Sequence, residues 1–180
     1  MNQEELKKAM ALATPDEKRR ITVMLEELKR RQLRERAQND FLAFVEYIWP
    51  DFISGRHHAR IARLFEDVAN GSKKRLIINL APRHTKSEFT SYLLPSWYLG
   101  RNPGKKVIQC SNTAELAVGF GRKVRNLVDA EQYADVFPNV SLRVDSKAAG
   151  RWATSGGGEY FAIGVGGTVT GKGADLLIID

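Results

Sequence analysis

Cysteine and histidine are scarce in this sequence, which contains one cysteine and three histidines. A single thiol, Cys110, cannot build a disulfide framework, so the chain is typical of a reducing compartment and not of a secreted scaffold. The spacing of the histidines and Cys110 does not match a zinc site. Cys110 lies in a predicted strand, and we expect it to be a buried thiol without a nucleophilic role.

Long apolar runs are also missing. No stretch of 18 apolar residues occurs, so we expect no membrane span. Met1 is followed by polar and charged residues, so we expect no secretory leader.

The composition that remains is that of a globular protein. The 180 residues are 43% apolar and 27% charged, which excludes disorder and fibrous repeats and predicts one hydrophobic core. The formal net charge is +7, which favours a polyanionic partner such as nucleic acid or a nucleotide.

Residues 1–37 differ from the rest, because they contain ten basic and seven acidic residues but no glycine and no aromatic residue. Thr14, Pro15 and Glu17 match the start of a helix with a capping box. We predict a basic helical arm over residues 1–37, followed by the main domain over residues 38–180. The arm is either a docking element for a partner or DNA, or an amphipathic helix packed on its own domain.

The rest of the sequence alternates between helix-like and strand-like segments. Periodicity and turn signals predict helices over 40–48, 57–70, 87–98 and 113–130. Apolar runs predict strands over 75–80, 106–110, 151–154, 160–163 and 176–179. This alternation predicts an α/β fold with a mainly parallel central sheet flanked by helices.

The segment LAPRHTKS, residues 80–87, is a candidate phosphate-binding loop. It lies between a predicted strand and a predicted helix, where backbone N–H groups and a helix N-terminus can surround a phosphate. Lys86 would reach the phosphate oxygens and the Ser87 hydroxyl would bind Mg²⁺. Leu80 and Thr85 occupy the positions of the two usual glycines, and a β-branched residue such as Thr disfavours positive φ.

A second segment, GGTVTGKG at residues 166–173, matches the glycine spacing better. It leads into a predicted strand, so it lacks the helix N-terminus that a phosphate loop requires. We therefore prefer Lys86 to Lys172 as the phosphate ligand.

The apolar run at residues 176–179 ends in Asp180, which is the pattern of a Walker B strand. A strand of this kind places a carboxylate at the carboxyl edge of the sheet, where it can hold Mg²⁺ through water. The two signals together indicate a nucleotide site.

Residues 49–180 resemble the large terminase subunit, the ATPase motor that packages DNA into tailed-phage capsids. The resemblance lies in the stretches HHARIARLFEDVANG, KRLIINLAPRHTKSE, SWYLGRNPGKKVIQCSNTAELA, FGRKVRNLV and YFAIGVGGTVTGKGADLLIID. The phosphate loop of that family commonly reads PPRHGKS, so Thr85 departs from the family pattern.

The resemblance implies a P-loop NTPase fold of the additional-strand type that uses ATP and Mg²⁺. It implies Lys86, Ser87 and Asp180 at the phosphates and the metal, with Arg83 stabilising the γ-phosphate. The implied nucleotide-binding residues are Arg56, His57, Pro82, Arg83, His84, Thr85, Lys86, Ser87 and Glu88. Arg122 and Arg125 are candidates for an arginine presented to a neighbouring subunit.

The implied partners are double-stranded DNA, the capsid portal, a small terminase subunit and further copies in a ring, without a membrane. The implied location is the host cytoplasm, with transient docking on the procapsid. In the family, a catalytic acid, a coupling motif and a nuclease domain follow the Walker B residue, so we expect the 180-residue chain to hydrolyse ATP hardly at all. Two alternatives stay open: a helicase-like translocase, or a non-catalytic DNA-binding or adaptor module with a decayed P-loop.

Overall fold

The computed structural model describes residues 13–180. The helices are α1 (Pro15–Asn39), α2 (Phe41–Ile48), α3 (Arg56–Ala69), a π-helix (Glu88–Leu93), α4 (Leu94–Arg101), α5 (Ala114–Val128) and α6 (Glu131–Val136). The strands are β1 (Lys106–Ser111), β2 (Leu142–Ala148), β3 (Arg151–Thr154), β4 (Glu159–Gly164) and β5 (Leu176–Ile179). None of these helices has the length and apolar character needed to cross a bilayer.

The five strands form one mixed sheet in the order β2-β3-β4-β1-β5. Strand β1 pairs in parallel with β4 and β5, whereas β3 pairs antiparallel with β2 and β4. The predicted α/β class is observed, but the prediction of a mainly parallel sheet is wrong. The reason lies in the short connections on both sides of β3, since a tight turn can join only antiparallel neighbours.

Residues 75–80 do not form the predicted strand. No backbone hydrogen bond joins them to another described residue, although Leu76, Ile78 and Leu80 pack against the core. Ile77 points the other way and is 86% exposed. The alternating pattern of a strand is present, but a strand also needs a hydrogen-bonded neighbour. Strand β5 does not provide one, because a cleft of about 900 Å³ lies between it and this segment.

The predicted helix over 87–98 exists, but its first part is a π-helix. The Leu94 N–H donates to the Phe89 carbonyl, five residues back. Pro95 follows and has no N–H to donate, so the ordinary bonding ladder is interrupted there. Such wide turns occur often at functional sites.

The carboxyl end of α1 packs on the domain, while most of the helix is exposed. Ala37 is fully buried, and its carbonyl accepts a hydrogen bond from Trp97 Nε1 at 3.1 Å. Gln38 Nε2 donates to the Val136 carbonyl at 2.6 Å. Helix α1 therefore continues without a break across the predicted boundary at residue 37. The predicted arm residues 1–12 lie outside the described part of the chain.

Local signals in the sequence located the helix starts correctly. The capping box of Thr14 and Glu17 is present, and Asp40 and Thr113 cap α2 and α5 through Ala43 N and Leu116 N. Gly71 ends α3 in the left-handed conformation, with φ of 77°. Helix α6 and strand β2 were not predicted.

The core lies between the helices and one face of the sheet. Helix α5 packs against β1 and β4, and Trp152 donates from Nε1 to the Gly121 carbonyl at 3.2 Å. Phe41 makes edge contacts with Phe65, Phe89 and Trp97. This aromatic cluster supports the helix that begins at the candidate phosphate loop.

Candidate nucleotide-binding site

The loop before the π-helix contains two residues in the left-handed conformation. Arg83 has φ of 64° and Thr85 has φ of 56°. This region costs an ordinary residue about 1–2 kcal/mol, and it is least favourable for a β-branched side chain. The loop therefore turns where glycine would be expected, and other contacts must offset the cost at Thr85.

Lys86 and Asp180 meet across the site. Lys86 Nζ donates to Asp180 Oδ1 at 2.9 Å, and Ser91 Oγ donates to Asp180 Oδ2 at 2.9 Å. Strand β5 directs Asp180 there, because the Asp180 N–H donates to the Cys110 carbonyl on β1 at 3.0 Å. The two residues that the sequence selected from distant segments thus form an ion pair.

The carboxyl of Asp180 is held in its charged form. Its side chain is 10% exposed, and that burial raises its pKa. Hydrogen bonds from Lys86, Ser87 and Ser91 oppose burial, and the net result is a pKa below the ordinary value. An ionised carboxylate at this point can bind a divalent cation directly or through water.

Residues 86 and 87 begin the helical turn after the loop, with Ser87 in the right-handed helical conformation. Thr90 Oγ1 donates to the Lys86 carbonyl at 2.9 Å. Glu88, which was predicted to bind nucleotide, pairs with Lys123 on α5 at 2.7 Å, so it ties this turn to α5. Its role toward a nucleotide stays a prediction.

A histidine from α3 reaches the loop. His58 is 6% exposed, and its Nε2 lies 2.7 Å from Thr85 Oγ1. Its Nδ1 accepts a hydrogen bond from the Gly55 N–H at 3.0 Å. His58 thus connects the start of α3 with the residue that carries the unfavourable φ.

The other two histidines lie beside this contact. The His57 ring is 6.0 Å from the His84 ring and 3.8 Å from the His58 ring. His84 Nδ1 lies 2.9 Å from the Pro82 carbonyl oxygen. A carbonyl oxygen can only accept a hydrogen bond, so His84 Nδ1 carries a proton and donates it. Arg56 is exposed on the first turn of α3. The predicted residues Arg56, His57, Pro82 and His84 are therefore grouped at one end of α3.

The competing glycine-rich segment lies outside this group. Gly166 and Gly171 have φ of 83° and 77°, and the segment runs directly into β5. Lys172 Nζ lies 4.3 Å from the centre of the Phe161 ring. The expectation that no helix follows this loop is confirmed.

The two candidate trans arginines lie on α5. Arg122 is exposed, and Arg125 donates to Asn126 Oδ1 from Nε at 3.2 Å and from Nη2 at 2.8 Å. A role toward a neighbouring subunit is not tested by a single chain, so it stays a prediction.

The cleft between residues 73–78 and β5 opens next to the ion pair. Lys86 and Asp180 line one part of it, and Lys73, Lys74 and Arg75 line another. Its volume of about 900 Å³ lies within the range of small-ligand sites. The basic lining favours an anionic ligand.

One site residue, Ser91, and one site contact, between His58 and Thr85, were missed from sequence. Ser91 lies four residues after Ser87, so helical spacing alone places both on one face, and this signal was available. The contact of His58 with Thr85 joins residues 27 apart, and no local pattern predicts it.

The predicted magnesium ligands fit the chemistry of a nucleotide-bound cation. Mg²⁺ is bound in nucleotide sites by one or two protein oxygens, with phosphates and water completing the shell. Ser87 and Asp180 supply one hydroxyl and one ionised carboxylate. Within residues 13–180, no group of three or more His, Cys, Asp or Glu side chains is placed to hold a metal without such help.

Comparison with protein-family models, curated proteins and solved structures finds no match for this chain.

The surroundings of His58 make the stability of the fold depend on pH. Burial, then the charges of His57 and His84, lower this pKa below the ordinary value of 6.5. Below about pH 6.5 the unfolded chain binds a proton at His58 that the folded protein does not. The free energy of unfolding therefore decreases as the pH falls from about 6.5 toward the folded-state pKa of His58.

We therefore expect the free energy of unfolding to drop more steeply with acid in the wild type than in His58→Phe. Urea unfolding of both proteins at several pH values between about 7.5 and about 5.5 measures this difference. The carboxylates titrate in both proteins, so the difference between their curves of free energy against pH reports His58 alone. Parallel curves would show that His58 titrates normally.

Proposed function

We propose that this chain binds ATP and Mg²⁺ through residues 82–87 and Asp180, as a P-loop nucleotide-binding ATPase domain. The observation that carries the proposal is the Lys86–Asp180 ion pair of 2.9 Å, formed between the loop before a helix and the end of a strand. A lysine and a carboxylate brought together from these two positions are what phosphate binding and metal binding require.

The roles follow from the chemistry of each group. Lys86 neutralises phosphate charge, and Ser87 and Asp180 hold Mg²⁺, which neutralises the charge developing on the phosphates when it is bound. Arg83 lies in the same loop and is the candidate for the γ-phosphate. With ATP and Mg²⁺ bound, Lys86 would contact the phosphates and Asp180 would contact the metal.

The resemblance extends the proposal to a motor subunit that translocates double-stranded viral DNA into a capsid. It names the portal and a small terminase subunit as partners, and the host cytoplasm and procapsid as the place of action. A ring of copies would present Arg122 or Arg125 to the next subunit's ATP. A helicase-like translocase shares the phosphate loop and is distinguished by having no preference for procapsids.

A non-catalytic DNA-binding or adaptor module is favoured by one observation, which is Thr85 in the left-handed conformation. A phosphate loop strained in this way can persist after nucleotide binding is lost. Fluorescent-ATP titration with and without Mg²⁺ separates the two functions. Saturable, Mg²⁺-strengthened binding supports the ATPase, and no binding at millimolar ATP supports the module.

Binding to DNA should depend strongly on salt. Each phosphate contact made by Lys or Arg releases counterions, so several contacts weaken binding by at least about ten-fold between about 50 and about 200 mM salt. Fluorescence anisotropy with a short duplex of mixed sequence measures this. Affinity that does not change with salt would mean that the +7 net charge is not used for DNA.

A variant of the exposed basic residues of α1, with Lys18, Arg19 and Arg20 changed to Ala, locates the contacts. A smaller salt slope would assign them to α1. An unchanged slope would assign them to the main domain.

A further inference from the structure

Thr85 occupies a position where the phosphate loop needs positive φ, yet its side chain opposes that conformation. Its hydroxyl is hydrogen-bonded on both sides, to His58 Nε2 at 2.7 Å and to its neighbour's carbonyl, that of His84, at 2.7 Å. Glycine has no side chain to make these contacts. The strain and the contacts that offset it therefore belong to the same side chain.

The donor and the acceptor can be assigned for each hydrogen bond in the series that joins Gly55, His58, Thr85 and His84. The Gly55 N–H can only donate, so His58 Nδ1 is the unprotonated nitrogen. Nε2 then carries the proton and donates to Thr85 Oγ1. The hydroxyl proton of Thr85 is left for the His84 carbonyl, and all three bonds are satisfied in one tautomer.

The imidazole of His58 is also fixed in position. It stacks on Phe89, the second residue of the π-helix, at 5.0 Å, and contacts Phe52 edge-on at 4.8 Å. These rings hold His58 against the helix that directly follows the loop. A rigid donor at this point can keep Thr85 in a single conformation.

We propose that His58 is a positioning residue that holds Thr85 in the left-handed conformation and thereby sets the shape of the phosphate loop. The inference rests on the proposed function, in which the backbone of residues 82–87 surrounds the phosphates of ATP. It follows that His58 and Thr85 are coupled. His58 is needed while residue 85 carries a side chain and becomes dispensable when residue 85 is glycine.

A double-mutant cycle with His58→Phe, Thr85→Gly and the combined variant tests this coupling. Phenylalanine keeps the stacking on Phe89 but cannot make either hydrogen bond. We expect His58→Phe to weaken fluorescent-ATP binding by about five- to ten-fold when residue 85 is threonine. The combined variant should bind within about two-fold of Thr85→Gly, because glycine reaches positive φ without support.

Tyr160→Phe is the control for a change at a buried ring, since the Tyr160 hydroxyl has no hydrogen-bond partner among the described residues and lies on β4, and it should leave affinity unchanged. Thr85→Ser keeps the hydroxyl and should stay dependent on His58. A purely structural His58 would lower the melting temperature of His58→Phe without changing ATP affinity. That result, or a combined variant as weak as His58→Phe, would overturn the proposal.

A second readout separates this inference from the proposed function. The backbone ¹³C shifts and the three-bond amide coupling of residue 85 report its φ without any nucleotide. If the wild type fails to bind ATP, the proposed function is wrong, but His58→Phe should still move Thr85 out of the left-handed region. An unchanged φ in that variant would refute the role of His58 whether or not ATP binds.

Discussion

The Lys86→Ala variant should lose ATP binding almost completely, by at least about 100-fold. The ammonium lies at the start of the helical turn and 2.9 Å from Asp180, so it is the cation placed to neutralise phosphate charge. Its removal also leaves the Asp180 carboxylate unpaired beside the phosphates, which repels the ligand. Fluorescent-ATP titration at fixed Mg²⁺ measures the loss, and circular dichroism shows whether the variant is folded.

Lys172→Ala is the matched control for this result. Both lysines lie six residues after the first position of a P-loop-like pattern, which is Leu80 for Lys86 and Gly166 for Lys172. Lys172, however, lies over the Phe161 ring in a segment that leads into β5. We expect its affinity for ATP to equal that of the wild type. If Lys172→Ala abolished binding and Lys86→Ala did not, the site would have to be moved to residues 166–173.

The Trp97→Ala variant should lose about 3–5 kcal/mol of stability. Trp97 is fully buried, contacts Phe41 edge-on at 5.5 Å and donates to the Ala37 carbonyl. Truncation leaves a large cavity and an unpaired carbonyl where α1 joins the domain. Urea unfolding followed by circular dichroism measures the change, and we expect a drop in melting temperature of about 10 °C or more.

Trp49→Ala is the comparison, because Trp49 is 39% exposed and packs mainly on Phe52. Its loss should cost about 1 kcal/mol or less. Trp97→Phe should fall between the two, since it keeps much of the aromatic contact but not the hydrogen bond. Equal effects of Trp97→Ala and Trp49→Ala would mean that α1 is not anchored through Trp97.

Several parts of the fold could be predicted because their causes are local. The capping residues Thr14, Asp40 and Thr113 each bond to a backbone N–H three residues away. The strands at 106–110 and 176–179 are short apolar runs between turns, and both were found. The strands predicted over 151–154 and 160–163 were also found, as β3 and β4.

Other parts could not be predicted, because pairing joins residues far apart. Residues 75–80 have the apolar pattern of a strand but no hydrogen-bonded neighbour among residues 13–180. The mixed direction of the sheet depends on the antiparallel pairing of β3 with β2 and β4, and β2 was not predicted. The register of β2 against β3 is irregular, and Val144 on β2 is 88% exposed. The π-helix forms the first part of a segment that the sequence predicted as one ordinary helix.

The sequence by itself determined the chemistry available for a site, namely a lysine and serine after a turn and an aspartate after an apolar strand. It could do so because each signal lies within a few residues. Only the tertiary structure decided that Lys86 meets Asp180, that Ser91 joins them, and that His58 bonds to Thr85. These contacts span 27 to 94 residues of chain, and they form because the core and the sheet bring those segments together.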